Sequence, residues 1–269
     1  MTILSNLIKS VFDYAGYTII SERLYLLGLT QNTSFSNWIS LQNELAGKEL
    51  STEEESFLKF CTVNLSKSKS QILQDLFVLW ATENQNSGMY LEFGAADGIL
   101  HSNTYLLENE YKWSGLLIEP HPKAFKKLNR NRKNSLLIEA AVDPTFSQIS
   151  SHGVLRDADQ ISGLDGFLGN DSHLSRREIA KGIKVKLINL HNALTQYKIG
   201  KLDYISIDTE GSEAEIVKHF DWEKYSPKVI TIETNGNQEF EIEIESKMKF
   251  LGYKLFSRQI SRWDLWFYR

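Results

Sequence analysis

Between Met89 and Val142 three short apolar runs, MYLEF, SGLLI and SLLIEAAV, alternate with two segments of helical spacing. A strand with one wet face alternates apolar with polar residues; a strand buried on both faces does not. Uninterrupted runs joined by helices therefore read as a βαβαβ unit, a parallel sheet covered on both sides. Residues 102–110 suit the first helix. PKAFKKLNRNR (122–132) suits the second, with proline at its first position, where a missing N–H costs nothing. The alternation resumes after residue 182. IKVKLINL (183–190), KLDYISID (201–208) and PKVITIETN (227–235) read as strands. SEAEIVKHF (212–220) and QEFEIEIESKMKFLG (238–252) read as helices, and YKLFSR (253–258) with WDLWFYR (263–269) as a closing hairpin turning at Gln259–Arg262. The stretch 143–182 is rich in Ser, Gly and Asp, with one short strand at 151–155. A long loop in a compact α/β domain is functional or mobile.

Residues 1–69 read as a helical appendage. Ser34 or Ser36 can cap a helix over 34–45. Ser51, with Glu54 three residues on, makes a capping box that places Phe57, Leu58 and Cys61 on one face. SKSKS (66–70) reads as a polar linker before a helix at 70–83. The N-terminal stripe Leu4, Leu7, Ile8, Val11 and Phe12 suits packing on the protein or a second copy, or weak peripheral attachment to a membrane through residues 1–20. No run approaches the ~20 apolar residues of a membrane span, and no signal-peptide pattern is present, so a cytoplasmic location is expected. A net charge of −4 gives no electrostatic footprint for nucleic acid. One cysteine, Cys61, permits neither an intrachain disulfide nor a cysteine-rich zinc site.

Three constellations carry chemistry. In Glu92-Phe93-Gly94-Ala95-Ala96-Asp97-Gly98, a first strand turns toward a helix. Gly94 and Gly98 let the backbone approach a ligand, and Ala95 and Ala96 keep side chains clear. Glu119 ends the next strand, where a carboxylate can accept both ribose hydroxyls. The glycines do not follow G-x-G-x-x-G, so no pyrophosphate cradle is evident. The pattern favours a nucleoside cofactor without phosphate, S-adenosylmethionine being the common one. A nicotinamide-dependent oxidoreductase and a non-catalytic domain of the same shape are the alternatives. The third constellation is Asp208-Thr209-Glu210-Gly211-Ser212-Glu213, at the carboxyl end of a strand. Glu213 is expected on the solvent side of the helix or paired with a base there. Asp208, Glu233 and Asn235 can converge as oxygen ligands for Mg²⁺; equally, Asp208 and Glu210 can serve cofactor and substrate with no metal. Asp208 or Glu210 is the first candidate for a general base and His173 the second. His152 flanks the same loop, His121 adjoins the ribose end, and His219 suits a helix C-terminus.

The segments EFGAADGILHSNTYLLENEYKWSGLLIEPHPKAFKKLNRNR (92–132), YISIDTEGSEAEIV (204–217) and SQILQDLFVLW (70–80), with the closing Trp263, Asp264, Trp266 and Phe267, resemble the FkbM-type methyltransferase family. The resemblance covers residues 70–269 and leaves 1–69 outside as a separate appendage. It implies a Rossmann-like, doubly wound seven-stranded sheet, mostly parallel with an antiparallel last strand. It further implies S-adenosylmethionine as cofactor and O-methylation of a hydroxyl, mostly on sugars of polysaccharides or natural products. Carried over, Gly94, Ala95, Asp97 and Gly98 line the methionine end, with Asp97 toward the ammonium. Ser102, Asn103 and Thr104 start the next helix and face the carboxylate. Glu119 holds the ribose, Asp143 meets the adenine edge, and Gln74 and Asp75 cap the cofactor. Glu92, Pro120 and Asp208 complete the cofactor set. The expected partners are a small-molecule or glycan acceptor and a second copy of the chain.

Overall fold

A computed structural model describes residues 33–145, 152–158, 161–168, 174–234 and 236–269. The N-terminal stripe, His173 and Asn235 lie outside the described residues. Seven strands form the main sheet: β1 (Met89–Phe93), β2 (Ser114–Ile118), β3 (Leu136–Ile138), β7 (Tyr204–Ile207), β8 (Val229–Glu233), β9 (Lys254–Leu255) and β10 (Asp264–Tyr268). Their order is β3-β2-β1-β7-β8-β10-β9. Pairing is parallel from β3 to β8, and β10 is antiparallel to both its neighbours. Strand order reverses between β1 and β7, the switch point at which open α/β sheets bind ligands.

The central strands β1, β2, β7 and β8 bury both faces. Tyr90 and Leu117 belong to one core, and Leu91, Phe93, Leu116 and Ile118 to the other. The first core also takes in Phe35, Trp38 and Phe57 from the N-terminal helices Thr33–Leu45 and Thr52–Asn64. There Phe57 meets Phe77 edge-on at 6.0 Å and Phe77 stacks on Trp266 at 4.9 Å, pairs worth about 0.5–1.5 kcal/mol each beyond their buried area. The capping box of Ser51 and Glu54 forms. Among the described residues no helix is long and apolar enough to cross a membrane.

Several local expectations are corrected. The run 135–142 is broken. β3 stays at the edge of the main sheet, while β4 (Ala141–Val142) joins β6 (Lys181–Ile188) and β5 (His152–Asp157) in a separate three-stranded sheet. The alternation in β6, exposed Lys184 and Lys186 about buried Val185, marks a strand with one wet face, unlike its neighbours. The chain is already helical at Thr33, so Ser34 and Ser36 lie inside the helix and neither caps it. SKSKS is no solvated linker: Ser68 and Ser70 are fully buried and donate to Asp75 Oδ1 at 2.7 Å. The following helix starts only at Gln74, behind a left-handed Leu73.

Candidate active site

The turn after β1 lies against the end of β7. Gly94 has φ +69°, and a Cβ on it would sit 2.1 Å from the Asp208 carbonyl oxygen. Only glycine fits there. Gly98 serves differently from expectation. A Cβ there would strike Leu128 and Arg132 at 2.5 and 2.6 Å, so Gly98 admits the helix Pro122–Asn131 rather than a ligand. It lines neither of the two cavities described below. Asp97 Oδ1 closes the turn by accepting from the Ile99 and Leu100 amides at 2.9 Å.

Two adjoining cavities open at the carboxyl ends of the strands and share Gly94, Ala96, Leu100, Asp208 and Glu210. The first, about 340 Å³, is lined by Asp97, Glu119, Pro120, His121 and Val142 among others. Glu119 is 5% exposed. Its Oε2 accepts from the Ala96 amide at 2.8 Å and its Oε1 from the His121 amide at 2.7 Å. Burial pushes its carboxyl up to about 7, against the pull of these two bonds. Each oxygen keeps a further lone pair for a ligand hydroxyl. Asp143 does not meet this cavity; its Oδ1 is spent on the Thr145 amide and hydroxyl, and Ala140, Ala141 and Val142 form that wall. Leu155, Asp157, Ser162 and Leu164 reach in from the region read as a loop. Asp157 is pinned by His121 Nε2 at 3.1 Å, while His121 Nδ1 accepts from the Lys123 amide and caps its helix.

The second cavity, about 450 Å³, is more polar. Glu92, Ala95, Ser102, Asn103, Gln74 and Glu233 line it. Glu92 is buried and accepts from the Asn103 amide at 2.9 Å and from the Thr104 hydroxyl; burial raises its pKa. Asn103 donates its side-chain amide to Ser206 at 2.9 Å, and among the described residues its Oδ1 has no partner. Thr104 is turned inward onto Glu92 and lines neither cavity. Asp75 is likewise absent from the crevice. It is fully buried, binding Ser68, Ser70 and the Lys69 and Leu76 amides. Gln74 does reach the cavity and donates to Asp264 Oδ2 at 3.0 Å. Behind the wall a fully buried Arg132 binds Glu108, Tyr90, Ser102, Thr104 and the Gly98 carbonyl.

Carboxylate oxygens of Asp208, Glu210 and Glu233 all lie within 4.8 Å of one another. They are not equivalent. Arg177, fully buried, donates from Nη1 to Glu210 Oε2 at 2.6 Å. Asp208 has its pKa raised well above the ordinary carboxylate value, by burial and then by the charge of Glu233. Glu213 does not face solvent. It is buried and gathers the Thr209 and Gly211 amides and the Thr209 hydroxyl, which fixes the loop carrying Glu210. His152 is exposed at the start of β5, and His219 pairs with Glu215 at 3.4 Å in the last turn of its helix. Sequence reasoning missed Arg177 and Arg132 altogether, and read Asp264 only as part of a closing strand. For Arg132 the one available signal was its position four residues after the buried Leu128.

A family model described as the methyltransferase FkbM domain matches residues 92–255. No curated protein matches the chain. Solved structures with some likeness include the Aeropyrum pernix fibrillarin crystallised with natively bound S-adenosyl-L-methionine (12% identity, 68% of this chain, 66% of that chain, TM-score 0.37). Others are a methyltransferase from Pyrococcus furiosus (12%, 81% and 98%, 0.39) and the human methyltransferase 10 domain containing protein (12%, 81% and 96%, 0.39). At these scores the structural likenesses say nothing about chemistry. The family match spans well over half of the chain and holds Gly94, Glu119, Asp208 and Glu233 within it; the chain belongs to the FkbM methyltransferase family.

Proposed function

We propose that the protein is an S-adenosylmethionine-dependent O-methyltransferase acting on a hydroxyl of a sugar. The observation that carries the reading is the paired crevice: a cavity floored by Glu119 meets a polar cavity at Gly94 and Asp208. The residues suit the cofactor. Glu119 presents two anchored oxygens for ribose hydroxyls. Gly94 lets the turn close on the Asp208 carbonyl and lines both cavities, and the unpartnered Asn103 Oδ1 awaits a donor such as an ammonium. When bound, S-adenosylmethionine supplies the methyl group on a sulfonium, with a neutral thioether as leaving group. Asp208, where the two cavities meet, would hold the acceptor hydroxyl and take its proton on Oδ. Asp208 suits this role better than Glu210, whose charge Arg177 already engages. A carboxylate crowded by Glu233 is a stronger base than a solvated one, and a cationic cofactor nearby favours its ionised form.

Mg²⁺ is outside this reading. Arg177 already supplies a fixed positive charge at Glu210, one of the three carboxylates in reach, and Asp208 can take the hydroxyl proton without a metal. The test is transfer of labelled methyl to a panel of sugars, with and without EDTA. Label in a base-stable ether, unaffected by EDTA, is expected. Label in a base-labile ester, or loss of transfer that Mg²⁺ restores, would overturn the hydroxyl or the metal-free part respectively.

A further inference from the structure

The small three-stranded sheet and the residues folded onto it form a body of their own. Residues 161–168 turn back along β5. Leu164 bridges Leu155, the Asp165 amide donates to the Val154 carbonyl at 2.8 Å, and the Arg156 amide donates to the Gly163 carbonyl at 2.9 Å. The short helix Leu174–Glu178, which carries Arg177, packs on β5 as well. Ala141, Leu155, Leu164 and Val185 make a core separate from the two main ones, with Phe167, Ile183 and Leu187 packed against it. A unit with its own small core can shift against the main sheet without opening either large core.

This unit walls both cavities. Leu155, Asp157, Ser162 and Leu164 line the first, and Ile161 lines the second. Two polar contacts fasten it across the crevice. Asp157 meets His121 Nε2 at 3.1 Å, and Arg177 donates from Nη1 to Glu210 Oε2 at 2.6 Å. They differ in shielding. The His121 and Asp157 side chains keep 13% and 26% of their surface in solvent, those of Arg177 and Glu210 0% and 11%. A buried pair escapes screening by salt, and removing one partner is costly, so the Arg177–Glu210 contact is the firmer of the two. Its anchor is rigid. Glu210 sits at φ +58°, and Glu213 gathers the Thr209 and Gly211 amides on either side of it. Gly163 lies against the same point: a Cβ there would be 2.6 Å from the Glu210 carbonyl oxygen and 3.4 Å from Arg177 Cδ. Glu210 itself lines both cavities, so the fastening is made at the crevice.

We propose that Arg177 is a positioning residue for the cofactor: paired with Glu210, it latches the small sheet and residues 161–168 across the crevice, and S-adenosylmethionine enters and leaves only when that latch opens. This rests on the methyl-transfer reading above. Pockets the size of the first cavity, about 340 Å³, bury most of their ligand, and their walls must part to admit it. The latch joins two parts of the protein and holds them alike with and without cofactor. Breaking it should therefore speed entry and exit together, whereas loss of an ordinary binding contact speeds exit alone.

The test is stopped-flow binding of S-adenosylhomocysteine, followed by protein fluorescence, with circular dichroism as the control for folding. For the wild type the observed rate is expected to level off as S-adenosylhomocysteine rises, at the rate of opening. Arg177→Gln and Glu210→Gln should each raise both the association and the dissociation rate constant at least about tenfold and leave Kd within about threefold. The double variant should add nothing further, and Arg177→Lys, which keeps the charge, should stay within about threefold of the wild-type rates. Gly163→Ala forces residues 161–168 away from Glu210 with both ions in place, and it should speed association too. A wild-type rate that climbs linearly with S-adenosylhomocysteine to millimolar concentration would overturn the proposal, as would folded variants in which dissociation alone quickens. If the charge variants fail to fold, the wild-type profile and Gly163→Ala decide it. Failure of S-adenosylhomocysteine to bind the wild type would instead overturn the methyl-transfer reading.

Discussion

Replacing Glu119 by Gln separates the geometry of the ribose site from its charge. Both carboxylate oxygens already accept a backbone N–H, from Ala96 and from His121. Whichever way the amide of Gln turns, its NH₂ faces an N–H, so this isosteric change is not conservative. A hydrogen bond to a charged group is worth about 1.5–3 kcal/mol net, so affinity for S-adenosylhomocysteine should fall about 10–100-fold near pH 8. The pH dependence is the sharper signature. Burial holds Glu119 at about 7, and ribose hydroxyls bind the ionised form. Below that pH, binding must expel a proton, at 1.36 kcal/mol per pH unit. Wild-type affinity should therefore drop about 30-fold between roughly pH 8 and pH 5.5, whereas Glu119→Gln should be nearly flat. Isothermal titration calorimetry across this range, in buffers of different ionisation enthalpy, reads affinity and proton release together. A flat wild-type profile, or a variant that keeps the wild-type slope, would refute the placement of ribose on Glu119.

Other outcomes follow from the same contacts. Gly94→Ala puts a Cβ against the Asp208 carbonyl at a positive φ; it should abolish S-adenosylhomocysteine binding and lower the melting temperature, read by differential scanning fluorimetry. Arg132→Met leaves Glu108 and Glu92 without their buried cation and should cost about 3–5 kcal/mol in urea unfolding, as breaking a buried pair does. Asp208→Asn should keep cofactor affinity within a few-fold yet lower kcat by about 10²–10⁴, once an acceptor is in hand. In the wild type, kcat/KM should rise with pH through a value above the ordinary carboxylate range, because the base must be deprotonated. For the cofactor-free protein, Glu119 and Asp264 both sit at about 7 when folded, above their unfolded values. The folded state then binds more protons, so stability should fall as pH rises from about 4.5 to 7, a trend that thermal melts across that range would show.

Gly94, Glu119 and Asp208 were legible in the sequence because topology alone places them. Each follows an apolar run that can only be a parallel strand, and all three runs end on the same side of the sheet. What stayed hidden depends on partners distant in sequence. Arg177 sits in the Ser- and Gly-rich stretch, and nothing around it announces that it reaches Glu210 33 residues away. Asp264 meets Glu233 only through the antiparallel register of β10, which the closing hairpin sets. Polar composition also misled. Ser68 and Ser70 read as solvated, yet they are what allows Asp75 to be buried. Glu213 read as solvent-facing because a carboxylate on a helix start usually is, whereas three donors from its own loop hold it inside. Gly98 was recognised as necessary but for the wrong neighbour, since a missing Cβ looks the same in sequence whether a ligand or a helix takes its place.

The most direct measurement is native mass spectrometry of the purified chain with S-adenosylhomocysteine, with NADH as the competing ligand. A one-to-one adduct with S-adenosylhomocysteine, weakened in Glu119→Gln and absent with NADH, is the predicted result. A folded protein that takes up no S-adenosylhomocysteine at millimolar concentration, or that takes up NADH in its place, would contradict the account.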